Sequence, residues 1–170
     1  IESLAGFFTV LLLLRFFMQL FRASFNNPVG VFVLNLTNWL VMPLRKVIPP
    51  VSGLDSASLM GAFLLQAVLL LAVVALRSGF EMTGLASMAF LILTRSLLAV
   101  LRISIYLFIG LLIVQAVLSW FNPYSPLSRP IGQMTDPLLR PLRRIVPPVS
   151  NIDLTPLVAI LLAQVVLIFL

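Results

Sequence analysis

The chain has 170 residues, of which 61% are hydrophobic and 9% charged, with a formal net charge of +6. Soluble domains are roughly 45–50% apolar and about 25% charged, so a water-soluble globule could not cover its surface with these residues, and a disordered chain would be more polar still. An all-α integral membrane protein is left, and the absence of Cys and His excludes thiol nucleophiles, disulfides, zinc sites of the usual kind and His-based triads.

The first apolar run is Leu4 to Phe21, interrupted at Arg15 and Gln19. No A-x-A-like site follows it, so no cleavable signal peptide is expected. Asn26 to Ser56 then form a loop, in which Val29 to Met42 are mostly apolar with a narrow polar strip, the pattern of a helix at the membrane surface. The second run is Ala57 to Leu76, with Gln66 inside it. Both runs are long enough to span as helices, which satisfy their own backbone groups in lipid. A third apolar region extends from Leu85 to Trp120. As one helix it measures about 54 Å against a bilayer core of about 30 Å. It must break, tilt or protrude, with Thr94-Arg95-Ser96 and Arg102 as the places to do so. Ile103 to Phe121 are read as the span, and residues 85–102 as interfacial or as an extension of the same helix. A second loop, Asn122 to Thr155, leads to a fourth span from Pro156 to Leu170. Within that loop Asp136 and Pro137 suit an N-cap and first position, predicting a short helix from Pro137 to about Val146 that ends at Pro147-Pro148. Val149 to Leu154 read as a turn, and Asp153 or Thr155, like Asp55 or Ser56 in the first loop, can cap the following span. Trp39, Trp120 and Tyr124 fall where an aromatic belt would lie.

The two loops repeat one another. Pro43-Leu44-Arg45-Lys46-Val47-Ile48-Pro49-Pro50 with Asp55 corresponds to Pro141-Leu142-Arg143-Arg144-Ile145-Val146-Pro147-Pro148 with Asp153, at an offset of 98. The match continues to Gln66 and Gln164; upstream, an offset of 96 pairs Gln19 with Gln115 and Asn26 with Asn122. Chance similarity of apolar segments does not reproduce a shared pattern of prolines and polar groups. The chain is therefore two tandem helix–interfacial loop–helix repeats with about four transmembrane helices: residues 1–76, a linker or interfacial helix over 77–102, and 103–170. The loops and their flanks carry Arg22, Arg45, Lys46, Arg129, Arg140, Arg143 and Arg144, seven of the eleven cations. If both loops lie on one side, the positive-inside rule makes that side cytoplasmic and the repeats are parallel, the favoured reading; if residues 85–102 instead crossed the membrane, the repeats would be inverted and the charges split between the two sides.

The double motif P-L-R-[KR]-[VI]-[IV]-P-P-x-x-x-x-D, with the Leu11–Gln19, Asp136–Arg144 and Ile152–Pro156 segments, resembles the YggT family, also called YlmG, over nearly the whole chain. The resemblance implies a small bacterial inner-membrane protein, with relatives in chloroplasts. It also implies a role in envelope or cell-division organisation, osmotic tolerance or, in plastids, haem attachment to a cytochrome subunit; no common activity follows. The first copy departs from the second, with Asn38 where the second has Asp136 and Ser56-Ala57-Ser58 in place of Leu154-Thr155-Pro156.

Arg45, Lys46, Arg140, Arg143 and Arg144 are expected to meet anionic lipid phosphates or a protein partner near the interface. Asp55 and Asp153 are expected to cap helices and to pair with Arg45 and Arg143, ten residues earlier; the competing reading makes them a cation or proton site. Because copy two lacks the serines at 56 and 58, its pair is expected to be the more sensitive to mutation. Arg15 is the intramembrane charge, placed near mid-bilayer, with Gln19, Gln66, Gln115 and Gln164 as polar partners and no acid in the spans to meet it. No catalytic, cofactor or metal residues are expected. The resulting reading is a non-enzymatic membrane scaffold or assembly factor, and the alternative is a small channel or transporter at the repeat or oligomer interface. Its partners would be the lipid bilayer with anionic lipids, a membrane or envelope protein and a second copy of the chain, not nucleic acid.

Overall fold

The structure, a computed structural model, describes residues 2–50, 53–78, 85–122, 124–145 and 153–170. The expected Pro147-Pro148 helix end, most of the turn before Leu154 and the side chain of Trp120 lie outside the described residues. Six helices are present among them: α1 (Glu2–Leu20), α2 (Pro28–Val47), α3 (Ser56–Ser78), α4 (Leu85–Phe121), α5 (Ser128–Arg143) and α6 (Thr155–Phe169). Three of them, α1, α3 and α4, are long and apolar enough to cross a membrane; α6 is apolar but has 15 residues. Each half is thus a long helix, a loop helix and a second apolar helix, the all-α two-repeat plan.

Helix α1 stops at Leu20 without a glycine. Arg22 takes a left-handed φ of 54°, while its N–H bonds Gln19 O and that of Ala23 bonds Met18 O. These two bonds satisfy carbonyls that the helix end would leave open, the Schellman arrangement. The chain then reverses into α2, where Asn27 accepts from Gly30 N at 2.9 Å and Pro28 fills the first turn. Gly30 is required by close approach, since a Cβ there would lie 2.5 Å from Phe25 O. Helix α2 continues past Met42 through Pro43 to Val47, so the surface helix and the Arg45-Lys46 motif are one element.

Residues 85–102 extend α4 without a break at Thr94–Ser96 or Arg102. The helix measures about 55 Å, so it protrudes or tilts. Helix α5 begins at Ser128, with Leu127 as a cap lacking a side-chain bond. Asp136 therefore sits inside the helix and does not cap it, and Pro137 and Pro141 are both accommodated within α5.

The pairings give the helix directions. Arg15 meets Asp55, and Thr9 meets Gln66, so α1 and α3 are antiparallel. Glu2 and Arg95 share one crevice, and Phe17 packs its ring on Phe108 at 4.8 Å, so α1 and α4 run the same way. The loop helices therefore gather at one end of the bundle, where Met18 of α1 packs with Met134 of α5. The core of the first half is Leu12, Leu13, Val41, Ala57 and Ala62, sealed by Val100 of α4. The second half has a smaller cluster of Leu112, Leu139 and Ala159.

Candidate functional site: a buried arginine–aspartate clasp

Arg15 stands on α1 five residues before its end, about 7–8 Å along the axis. The early reversal at Arg22 puts it nearer the loop end than the mid-bilayer position expected from sequence. The acid it meets comes from the loop. Arg15 Nε donates to Asp55 Oδ2 at 3.1 Å, and its Nη1 donates to Thr37 Oγ1 at 2.8 Å and to Asn38 Oδ1 at 2.9 Å. Arg45 completes the cluster from the end of α2, its Nε 3.3 Å from Asp55 Oδ1 and its Nη2 2.8 Å from Oδ2. Ser58 Oγ, in the first turn of α3, donates to Asp55 Oδ2 at 2.7 Å. The side chains of Arg15 and Asp55 are 4% and 1% exposed, whereas Arg45 is 38% exposed and reaches the surface. One carboxylate thus ties α1, α2 and α3 together. Two buried charges are expensive to desolvate, and a set of charge-assisted bonds of this geometry offsets that cost. Gln19 adds a further tie, donating to Gly53 O at 3.0 Å.

The second copy holds the same motif without the buried charge. The position equivalent to Arg15 is Leu111. Arg143 Nε donates to Asp153 Oδ2 at 3.0 Å, and its Nη1 to Asp136 Oδ1 at 3.2 Å. These side chains are 41%, 42% and 39% exposed. Asp153 Oδ1 also accepts the Thr155 N–H at 2.9 Å, at the start of α6. Partial burial would raise the Asp153 pKa, but the Thr155 hydrogen bonds and Arg143 outweigh it and hold the carboxyl below the usual range. Both ten-residue Arg–Asp pairs are formed. The first pair is buried and the second exposed, so burial argues for the greater sensitivity in copy one, opposite to the order expected from the serine caps.

The other polar residues separate. Gln66 Nε2 donates to Thr9 Oγ1 at 2.8 Å between α3 and α1, and Gln115 accepts from Thr135 between α4 and α5. Gln164 is exposed on α6 and has no hydrogen bond among the described residues. None of the four glutamines bonds Arg15. Lys46, Arg140 and Arg144 are exposed and unpaired among the described residues. Thr37, Asn38, Ser58 and Asp136 were not singled out as partners from sequence. The offset alignment was the available signal, since Thr37 aligns with Thr135 and Asn38 with Asp136. No group of three His, Cys, Asp or Glu that could hold a metal occurs among the described residues.

The model of the CCB3/YggT family matches residues 1–76 and 94–170, one segment for each repeat. The chain belongs to the CCB3/YggT family. Its relatives include the uncharacterized protein PA0392 of Pseudomonas aeruginosa, 34% identical over 98% of this chain and 83% of that protein. The uncharacterized protein YggT of Escherichia coli K12 is 32% identical over 98% of this chain and 84% of its own length. The uncharacterized protein ycf19 of Guillardia theta matches 48% of this chain with 88% of its length, at 32% identity. That relative is therefore about as long as one repeat. No solved structure matches the chain.

Proposed function

We propose that this CCB3/YggT protein is a non-enzymatic scaffold or assembly factor of the bacterial inner membrane, presenting α2 and α5 to envelope partners at the loop end of the bundle. The observation that carries this reading is the clasp. The charge within the span holds α2 against α1 and α3, while Lys46 on α2, Arg140 on α5 and Arg144 at the C-cap of α5 are exposed and unpaired among the described residues. Beside them Trp39, Met42, Val47, Leu138 and Ile145 are exposed. Apolar and cationic surface side by side suits both anionic lipid and an amphipathic protein partner.

The transport reading is weaker at the first repeat. Leu12 and Leu13, 1% and 0% exposed, separate the Thr9–Gln66 level from the Arg15–Asp55 level and pack with Val41, Ala62 and Val100. A polar path along α1 is interrupted there by close-packed apolar groups.

The test uses the full chain. Photo-crosslinkers placed at Lys46 and Arg144 in native membranes are expected to give discrete protein adducts that disappear in the Asp55→Ala variant, in which α2 is no longer held. The purified protein in liposomes is expected to give no saturable solute flux. Saturable flux abolished by Arg15→Leu would overturn the scaffold reading.

A further inference from the structure

At the end of the bundle opposite the loop helices, α1, α3 and α4 enclose a crevice of about 180 Å3, lined by Glu2, Gln66, Leu69, Leu70, Val73, Arg95, Ser96 and Ala99. It is too small for a drug-sized ligand, which takes about 300–1,000 Å3, and suits a compact polar group. Three features of its lining go unused by the clasp. Ser96 is 1% exposed, yet its Oγ has no hydrogen-bond partner among the described residues. Nearly all buried polar groups in folded proteins are bonded, so a hydroxyl left open beside a cavity points to a group that enters it. The adjacent Arg95 is exposed, offers a planar fork of donors, and has no ion pair among the described residues. Glu2, also exposed and without an ion pair among the described residues, supplies a negative charge to the same crevice.

The depth fits a lipid headgroup. Glu2 and Leu20 stand about 27 Å apart along α1, close to a hydrocarbon core of about 30 Å, so with the loop end at one boundary Glu2 lies near the other. Arg95, across the crevice, lies at the same level. Toward the interior the floor is Gln66, held by Thr9, and the walls are Leu69, Leu70 and Ala99. Outside, Leu97, Leu98 and Leu101 of α4 are exposed for acyl chains. A cation and an anion at one mouth, with a hydroxyl between the helices, match a zwitterion whose phosphate and ammonium lie a few bonds apart.

We infer that this crevice binds the headgroup of a phospholipid bearing a primary ammonium, with the phosphate on Arg95 and Ser96 and the ammonium on Glu2. A carboxylate can accept hydrogen bonds from a primary ammonium but none from a quaternary one, so Glu2 selects ethanolamine over choline headgroups. This site is independent of the scaffold reading, which concerns the other end of the molecule.

The experiment measures binding of dioleoyl phosphatidylethanolamine, dioleoyl phosphatidylcholine and free phosphoethanolamine to the purified full chain by native mass spectrometry, with detergent melting curves alongside. The ethanolamine lipid is expected to bind at least about tenfold more tightly than the choline lipid. Glu2→Gln should abolish that preference while leaving phospholipid bound, and Arg95→Gln should weaken both lipids about tenfold. Ser96→Ala should weaken both less. Glu2 and Arg95 are exposed, so these variants should melt as the parent does without lipid. Equal binding of the two lipids by the parent, or a preference untouched by Glu2→Gln, would overturn the inference. Free phosphoethanolamine binding as tightly as the lipid would overturn it in favour of a soluble zwitterion.

Discussion

Asp55 and Asp153 occupy equivalent positions in two copies of one motif, yet they do different physical work. Asp55 is the single acid between two arginines in a buried cluster, whereas Asp153 joins an exposed network on the surface of the second loop. Removing one partner of a buried pair leaves an uncompensated charge and costs about 3–5 kcal/mol, while an exposed pair contributes under about 1 kcal/mol. Asp55→Ala should therefore lower stability in detergent unfolding by the larger amount, and Asp153→Ala by the smaller. Adding Arg15→Met to Asp55→Ala should restore part of the loss, because the stranded guanidinium goes with it. Equal losses at the two aspartates would mean that water reaches Asp55 and that the clasp is open in solution.

At the scale of helices, the two repeats pack unequally, and the reason is readable at a few aligned positions. In the first, Gly61 lets α3 approach α1 and α2, so that a Cβ there would stand 3.3 Å from Leu44 and 3.7 Å from Leu12. The second copy has Ala159, Leu142 and Phe108 at these places, and its α4, α5 and α6 leave an apolar cavity of about 280 Å3. Ala163, on that cavity, aligns with Leu65, which packs on the first-half core. Ala163→Leu should fill part of the space and stabilise the protein by about 0.5–2 kcal/mol, the usual return of cavity filling. Detergent unfolding midpoints check this. A fall in the midpoint would mean that the space is already closed in solution, so that the larger side chain overpacks it.

For the whole molecule, the parallel directions of α1 and α4 put Lys46 and Arg144 at one end and Ala86 at the other, and all three are exposed. The native chain has no Cys, so single cysteines at these positions can be labelled without background. An impermeant maleimide should modify Lys46→Cys and Arg144→Cys from the cytoplasmic side and Ala86→Cys from the opposite side. Labelling of Lys46→Cys and Arg144→Cys from opposite sides would require an inverted repeat and an additional crossing.

Sequence alone determined the class, the duplication and the ion pairs within each motif. Each of these rests on information local in the chain: apolar run length, an offset shared by prolines and charges, and a ten-residue spacing that lets Arg45 reach Asp55. Three features were set by geometry beyond these local signals. The end of α1 depends on Arg22 adopting a left-handed conformation, which has no glycine to announce it. The start of α5 at Ser128 overrode the Asp136-Pro137 cap signal, because its buried residues Ile131, Met134 and Leu139 secure a longer helix. The partner of Arg15 lies 40 residues away, so no spacing rule could select Asp55. Tertiary structure decided that pairing by bringing the ends of α1 and α2 to the start of α3, where a buried guanidinium needs a counter-charge and one carboxylate is within reach.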